Sequence, residues 1–272
     1  MLTILIIIVN IAISGLGIYI FDYRVDGIIN DVLVIVLSIF IGIILTVILI
    51  ALFLDLFYFL LPKEKLQKSM FTHKIVKQVV SIPIHFSRMR IKVIGVENLP
   101  KDPGFTIYTN HSSWIDPTII MYGLYNYPVA ALGKEWAFKI FSIGRFAPKF
   151  GFVMIQRNDP RQSAQAIKQV ITNVKNGFSM VIFPEGTRSP KVDSLLDFKN
   201  GAFKVALRSE RPIVPITIVK PKNYNEIKWP FIKRVTVVVH TPIPFEEFKS
   251  MRTFELSEVV KKIIDEPLKN AK

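Results

Sequence analysis

The 272-residue chain contains no cysteine, which excludes disulfides, thiolate metal sites and a thiol nucleophile. Its four histidines, at 73, 85, 111 and 240, fall in no metal-ligand spacing. No G-x-S-x-G elbow occurs, and Ser112 and Ser113 sit too close to His111 along the chain to present a hydroxyl to its ring easily. A serine hydrolase is therefore disfavoured. Positive charge is missing from the start of the chain: of 35 Lys and Arg, only Arg24 precedes Leu61. No internal repeat and no low-complexity segment is present.

Two long apolar runs fill that base-poor region. The first covers 1–21 and is broken only by Thr3, Asn10, Ser14, Gly15 and Gly17; the second covers 32–61, with Asp55 its single charge. About 20 helical residues cross a hydrocarbon core of ~30 Å, so each run is long enough to span. No Lys or Arg precedes the first run and no A-x-A-like site ends it, which sets it apart from a secretory signal. PKEKLQK follows the second run, so the positive-inside rule puts Lys63, Lys65 and Lys68 on the cytoplasmic side. The expectation is a membrane-anchoring helical hairpin over 1–61 with both ends cytoplasmic, a shallow interfacial pair being the alternative.

Setting aside 1–61, which holds one of the 35 bases and four of the 21 acids, leaves 34 bases against 17 acids, a net charge of +17. Such a body is drawn to anionic surfaces, and the apolar anchor favours lipid over nucleic acid. Residues 62–87 read as an amphipathic basic connector at the membrane surface, ended by the stretch around Pro83.

From 88 to 272 the pattern alternates between short apolar runs and helix-like segments. Strands are expected over 89–96, 105–108, 129–132, 152–155, 180–183, 213–219 and 235–239, and helices over 117–125, 160–176, 199–209 and 254–269. That alternation predicts an α/β domain with a mixed, mostly parallel sheet flanked by helices, the last two strands pairing antiparallel. His111, Arg157 and Glu185 each follow a predicted strand by two or three residues, and open α/β sheets collect ligands at the carboxyl ends of their strands.

Three stretches carry chemistry. In NHSSWIDP, His111 and Asp116 are spaced to meet across one turn, the carboxylate fixing the tautomer of a ring that takes and returns a proton. The same residues also fit a plainer role, Asp116 capping the helix that begins at Pro117. In FPEGTRS, Arg188 suits a phosphate, Gly186 lets backbone N–H groups approach an anion, and Glu185 suits either Arg188 or a substrate hydroxyl. GFVMIQR ends in Arg157, and LGKEWAF carries Lys134 just past another strand. Three cations around a general base suit a phosphate-bearing substrate whose hydroxyl must lose a proton.

Together NHSSWID (110–116), GFVMIQR (151–157), FPEGTRS (183–189) and IVPITI (213–218) resemble, in order and approximate spacing, the glycerolipid acyltransferase family, best known for its lysophosphatidate acyltransferases. The FKNGAFKVA stretch after the third block fits as well. The resemblance implies His111 as general base and Asp116 as its orienting partner. It implies Arg157, Arg188 and Lys134 as phosphate-binding cations, Glu185, Gly186 and Thr187 as the substrate-contacting third block, and Pro215 as shaping the acyl-donor side. The implied reaction takes an acyl chain from acyl-carrier protein or acyl-CoA to the free hydroxyl of 1-acylglycerol 3-phosphate, giving phosphatidate at the cytoplasmic face of the membrane. No cofactor, metal or nucleic acid is implied. The alternatives are another lysophospholipid or glycerol 3-phosphate as acceptor and, further off, a non-catalytic protein binding anionic lipid.

Overall fold

The computed structural model describes residues 2–22, 28–60, 70–124, 126–134, 147–156 and 159–270. The chain divides into two compact units, Met1–Lys63 and Glu64–Lys272.

In the first unit, α1 (Leu2–Asp22) and α2 (Ile28–Leu60) pack antiparallel along a seam of small residues. Gly17 lies against Ser38, Gly42 lies against Ser14 and Asn10, and the Ser14 hydroxyl donates to the Ser38 carbonyl at 3.2 Å. Residues without bulk let the two backbones approach, as in helix pairs that cannot rely on water to drive them together. Among the described residues, Val32–Leu60 is long and apolar enough to cross a bilayer, and Ile7–Tyr19 is a shorter apolar stretch.

The second unit is built on a seven-stranded sheet in the order β1-β7-β6-β2-β5-β3-β4. Its strands are β1 (Met89–Ile94), β2 (Thr106–Thr109), β3 (Val129–Lys134), β4 (Val153–Ile155), β5 (Ser179–Ile182), β6 (Ile213–Val219) and β7 (Lys233–Val239). The five strands β2 to β6 are parallel; β7 runs antiparallel to β6, and β1 runs with β7. The sheet is therefore mixed and mostly parallel, with the expected antiparallel pair.

Helices cover both faces. On one side lie α3 (Met70–Phe86) and α4 (Asp116–Gly123); on the other lie α5 (Pro160–Lys175), α6 (Lys204–Ser209) and α7 (Thr253–Asn270). Successive strand residues point to opposite faces, so β2 sends Ile107 into the first core and Tyr108 into the second, while β5 sends Val181 one way and Met180 and Ile182 the other. Asp159 caps α5, its carboxylate accepting from the amides of Arg161 and Gln162 at 2.8 and 3.2 Å ahead of a proline in the first turn.

Helix α3 runs through Pro83 and ends at Phe86. Proline lacks the N–H for the preceding turn, but its own carbonyl accepts from Ser87 at 3.0 Å, and fully buried Ile84 holds the last turn on the sheet. Pro215 likewise sits inside a central strand. Pairing with β7 begins only at Ile216, and the Pro215 carbonyl on that side accepts from His240 at 3.1 Å, so the missing N–H breaks no ladder bond.

Candidate active site

His111 follows the carboxyl end of β2 by two residues, and Glu185 follows that of β5 by three. These strands are hydrogen-bonded neighbours, so two segments distant in sequence meet at one edge of the sheet. Asn110 locks the first loop in place: its buried amide accepts from the Ile218 N–H at 2.7 Å and donates to the Ile218 carbonyl at 3.0 Å, tying β2 to the end of β6.

The His111 Nδ1 lies 3.0 Å from Asp116 Oδ2. That same oxygen accepts the amides of Ser112 and Ser113, each at 2.7 Å. The carboxylate thus reaches back into the loop, and it makes no side-chain cap on α4, whose first turn begins at Asp116 itself. His111 and Asp116 thus meet across one turn as their spacing predicts, and Asp116 does not cap the helix. With Nδ1 on Asp116, Nε2 is the ring nitrogen left for a substrate, and the side chain stays 15% exposed. The ring packs on Phe183 at 4.3 Å between centroids.

Lys220, the first residue after β6, puts its ammonium on the other Asp116 oxygen and on the Ser112 hydroxyl at 2.8 Å. Neither side chain reaches solvent, at 0% and 1% exposure. Burial pushes the Asp116 pKa up, but the hydrogen bond to His111 and the charge and hydrogen bond of Lys220 outweigh it and hold the carboxyl below its ordinary value. Burial lowers the Lys220 pKa against the attraction of Asp116. Sequence reading passed over Lys220, although a lysine directly after a mostly apolar strand at the ligand-collecting edge was the available signal.

Glu185 is buried and uses both oxygens on backbone, accepting the amides of His111 at 2.7 Å and Leu196 at 2.8 Å. Burial raises its pKa to about 7, opposed by those two amides and assisted by the charge of Asp116. The Ser189 amide donates to the His111 carbonyl at 2.7 Å, so the third block is stitched to the first at two points. Gly186 sits between them with φ +72°, and a Cβ there would fall within 2.7 Å of the Lys199 side chain. Glycine is what this turn and this close approach require. The cation of Lys199 thereby lies over the turn, a second residue that motif reading did not single out.

Exposed Arg188 lines a cleft of about 330 Å³ together with Ser112, Ser113, Trp114, Tyr224 and Lys233. The cleft adjoins the histidine loop directly. Thr187 is exposed beside it. Lys134 ends β3 at the same edge of the sheet, with its side chain outside the described part; Arg157 lies outside the described residues. Chemically, the arrangement offers a backed imidazole, a saturated carboxylate and a cleft walled by cations.

Residues 90–219 match the family described as Acyltransferase. The chain is 34% identical over 177 residues to 1-acyl-sn-glycerol-3-phosphate acyltransferase BAT2, chloroplastic, of Brassica napus, covering 64% of this chain and 50% of that protein. It is 29% identical over 180 residues to the 1-acyl-sn-glycerol-3-phosphate acyltransferase of Bacillus subtilis, covering 66% of this chain and 86% of that one. The chain thus spans about half the length of the chloroplast relative and most of the bacterial one. The crystal structure of the 1-acyl-sn-glycerophosphate acyltransferase PlsC from Thermotoga maritima superposes with a TM-score of 0.66 at 25% identity, covering 80% of this chain and 86% of that chain. The fold, the motif order and these matches agree on an Acyltransferase-family domain over residues 90–219.

Proposed function

We propose that this protein is an O-acyltransferase that moves an acyl chain from an acyl thioester to the free hydroxyl of 1-acylglycerol 3-phosphate, giving phosphatidate. The observation that carries this reading is the His111–Asp116 pair, 3.0 Å apart, beside a cleft lined by Arg188. His111 Nε2 takes the proton of the acceptor hydroxyl as the oxygen attacks the thioester carbonyl. A C–O bond forms, the C–S bond breaks through a tetrahedral oxyanion, and the proton passes to the departing thiolate. Asp116 orients the ring and stabilises the imidazolium during that step.

Arg188, with Lys134 and Arg157, binds the phosphate monoester; Gly186 and Thr187 line its approach, and Glu185 holds the two loops in register. The α1–α2 pair embeds the protein in the cytoplasmic membrane with the α/β domain on the cytoplasmic side, where the lysolipid resides. Residues 62–87 join the anchor to that domain along the membrane surface. Both donors, acyl-carrier protein and acyl-CoA, are anionic, which the net charge of +17 beyond residue 61 favours equally. The reaction needs no cofactor and no covalent enzyme intermediate.

The test is purified full-length protein in mixed micelles with lysophosphatidate and each labelled donor in turn. Phosphatidate is the expected product. Release of free fatty acid without acceptor, or no transfer from either donor, overturns the reading.

A further inference from the structure

We infer that the α/β unit carries its own lipid-docking surface, an aromatic and basic rim around the mouth of the cleft that seats on an anionic bilayer independently of the α1–α2 pair. The inference rests on the proposed function for why a bilayer faces this edge, and its residues belong to none of the four motif blocks except Trp114.

Strand direction brings the rim together. Because β7 runs antiparallel to β6, the 220–232 connection lies at the same edge as His111. Because β1 runs with β7, its first residue and the end of α3 arrive at that edge too. The cleft beside His111 is accordingly walled by Ser87 and Met89 on one side and by Asn225 and Lys233 on the other. A second hollow of about 750 Å³ shares those two segments, with Arg88, Lys228, Phe231 and Arg234 on its walls.

Large apolar side chains stand out of this edge. Phe86 is 74% exposed, Trp229 73%, Phe231 71% and Trp114 59%; elsewhere among the described residues of the unit, only Phe254 is an aromatic more than half exposed. Exposed aromatics gathered on one edge of a soluble body mark a contact surface. Around them stand Arg88, Lys222, Lys228, Lys233 and Arg234, opposed by Glu226. Indole and phenyl rings that settle at headgroup depth, ringed by long cationic side chains that reach phosphates, are the composition of an interfacial anchor. Seated this way, the cleft opens at the headgroup level where a phosphate monoester lipid lies, and the acceptor need not leave the bilayer.

The cysteine-free sequence makes the test direct. Phe231→Cys in the full-length protein takes a single environment-sensitive fluorophore, and Lys175→Cys, exposed at the far edge where α5 ends, serves as the control. With vesicles of phosphatidylglycerol and phosphatidylcholine, emission at 231 is expected to shift blue and rise several-fold and to be quenched by lipids spin-labelled near the headgroup. The rise should be weaker on phosphatidylcholine alone, and position 175 should stay silent. A second variant, Trp229→Ala with Phe231→Ala, is expected to raise KM for a long-chain acceptor in vesicles about tenfold while leaving kcat and a short-chain, monomerically soluble acceptor within about twofold. A label at 231 that stays aqueous on vesicles overturns the inference. So does one that responds instead to acyl-carrier protein, or to protein concentration without lipid, since the rim then belongs to a protein partner or a second copy. Insertion of the label by a protein that transfers no acyl group would keep the docking surface and sink the proposed reaction.

Discussion

Lys220 holds the Asp116 oxygen that His111 leaves free, so the two side chains grip one carboxylate from opposite sides. Counting the amides of Ser112 and Ser113, the carboxylate has four partners and almost no solvent exposure. A buried carboxylate bonded only to a neutral imidazole would be costly, and the lysine supplies the opposite charge that keeps it ionised. Orientation of the His111 ring is therefore set by three separate parts of the chain: the loop after β2, the start of α4 and the end of β6.

That arrangement predicts a strong coupling. Lys220→Met strands a buried carboxylate and Asp116→Asn strands a buried ammonium, so each alone should destabilise the protein by about 3–5 kcal/mol. The double variant should cost less than the two added together, by about 1–3 kcal/mol. Denaturant unfolding of the four proteins in one detergent gives the cycle directly. Strict additivity would mean that the two groups do not share a bond in solution.

Removing the ring itself separates catalysis from binding. His111→Ala is expected to lower phosphatidate formation by about 10²–10⁴-fold, the usual contribution of a general base. Co-sedimentation with anionic vesicles should be unchanged, because the substitution leaves α1, α2 and the basic surface as they are. A variant that keeps full transfer assigns the proton to some other group.

Much of this was legible in the chain. The strands and helices of 88–272 follow from apolar periodicity, and the loops carrying His111, Glu185 and Arg188 sit at strand ends because strand and loop differ sharply in composition. What periodicity misses are contacts made across the sheet. Asn110 reads as half of an NH dipeptide, yet its amide is a clamp on Ile218, 108 residues away. Lys220 drew no reading of its own, and the pairing of β2 with β6 reveals that it turns inward. Glu185 reads as a partner for Arg188 or for a substrate hydroxyl, while its oxygens are both taken by backbone amides.

Glu185 also predicts a pH signature. Its pKa rises to about 7 in the folded protein from an ordinary value of 4.5. Between those values the folded state holds a proton that the unfolded chain has lost, so this group's contribution to stability is complete below about 4.5 and disappears as the pH climbs through about 7. Glu185→Gln cannot ionise. Plotted against pH from 4.5 to 8, the Tm of the wild type minus that of Glu185→Gln should fall steadily; a flat difference would mean that the carboxyl is already ionised throughout the window.

Gly186→Ala tests the turn over which Lys199 lies. Holding alanine at φ +72° costs about 1–2 kcal/mol, whereas the clash with Lys199 is with the flexible end of that chain and relaxes. Tm should drop modestly. On the proposed reading, in which Gly186 lines the phosphate's approach and the reacting hydroxyl lies at His111, KM for lysophosphatidate should rise more than kcat falls.

On the proposed reading, Arg188 is the phosphate ligand on which acceptor choice turns. A charge-assisted, two-point contact to phosphate contributes about 1.5–3 kcal/mol, so Arg188→Ala should raise KM for lysophosphatidate about 10- to 100-fold. Arg188→Lys restores charge but not the planar fork, and is expected to recover only part of that loss. Monoacylglycerol, which lacks the phosphate, discriminates between binding and general damage: its slow acylation should be equal in wild type and Arg188→Ala. If the arginine merely props the loop, both acceptors decline together, because the Ser189-to-His111 bond next to it would loosen in either case.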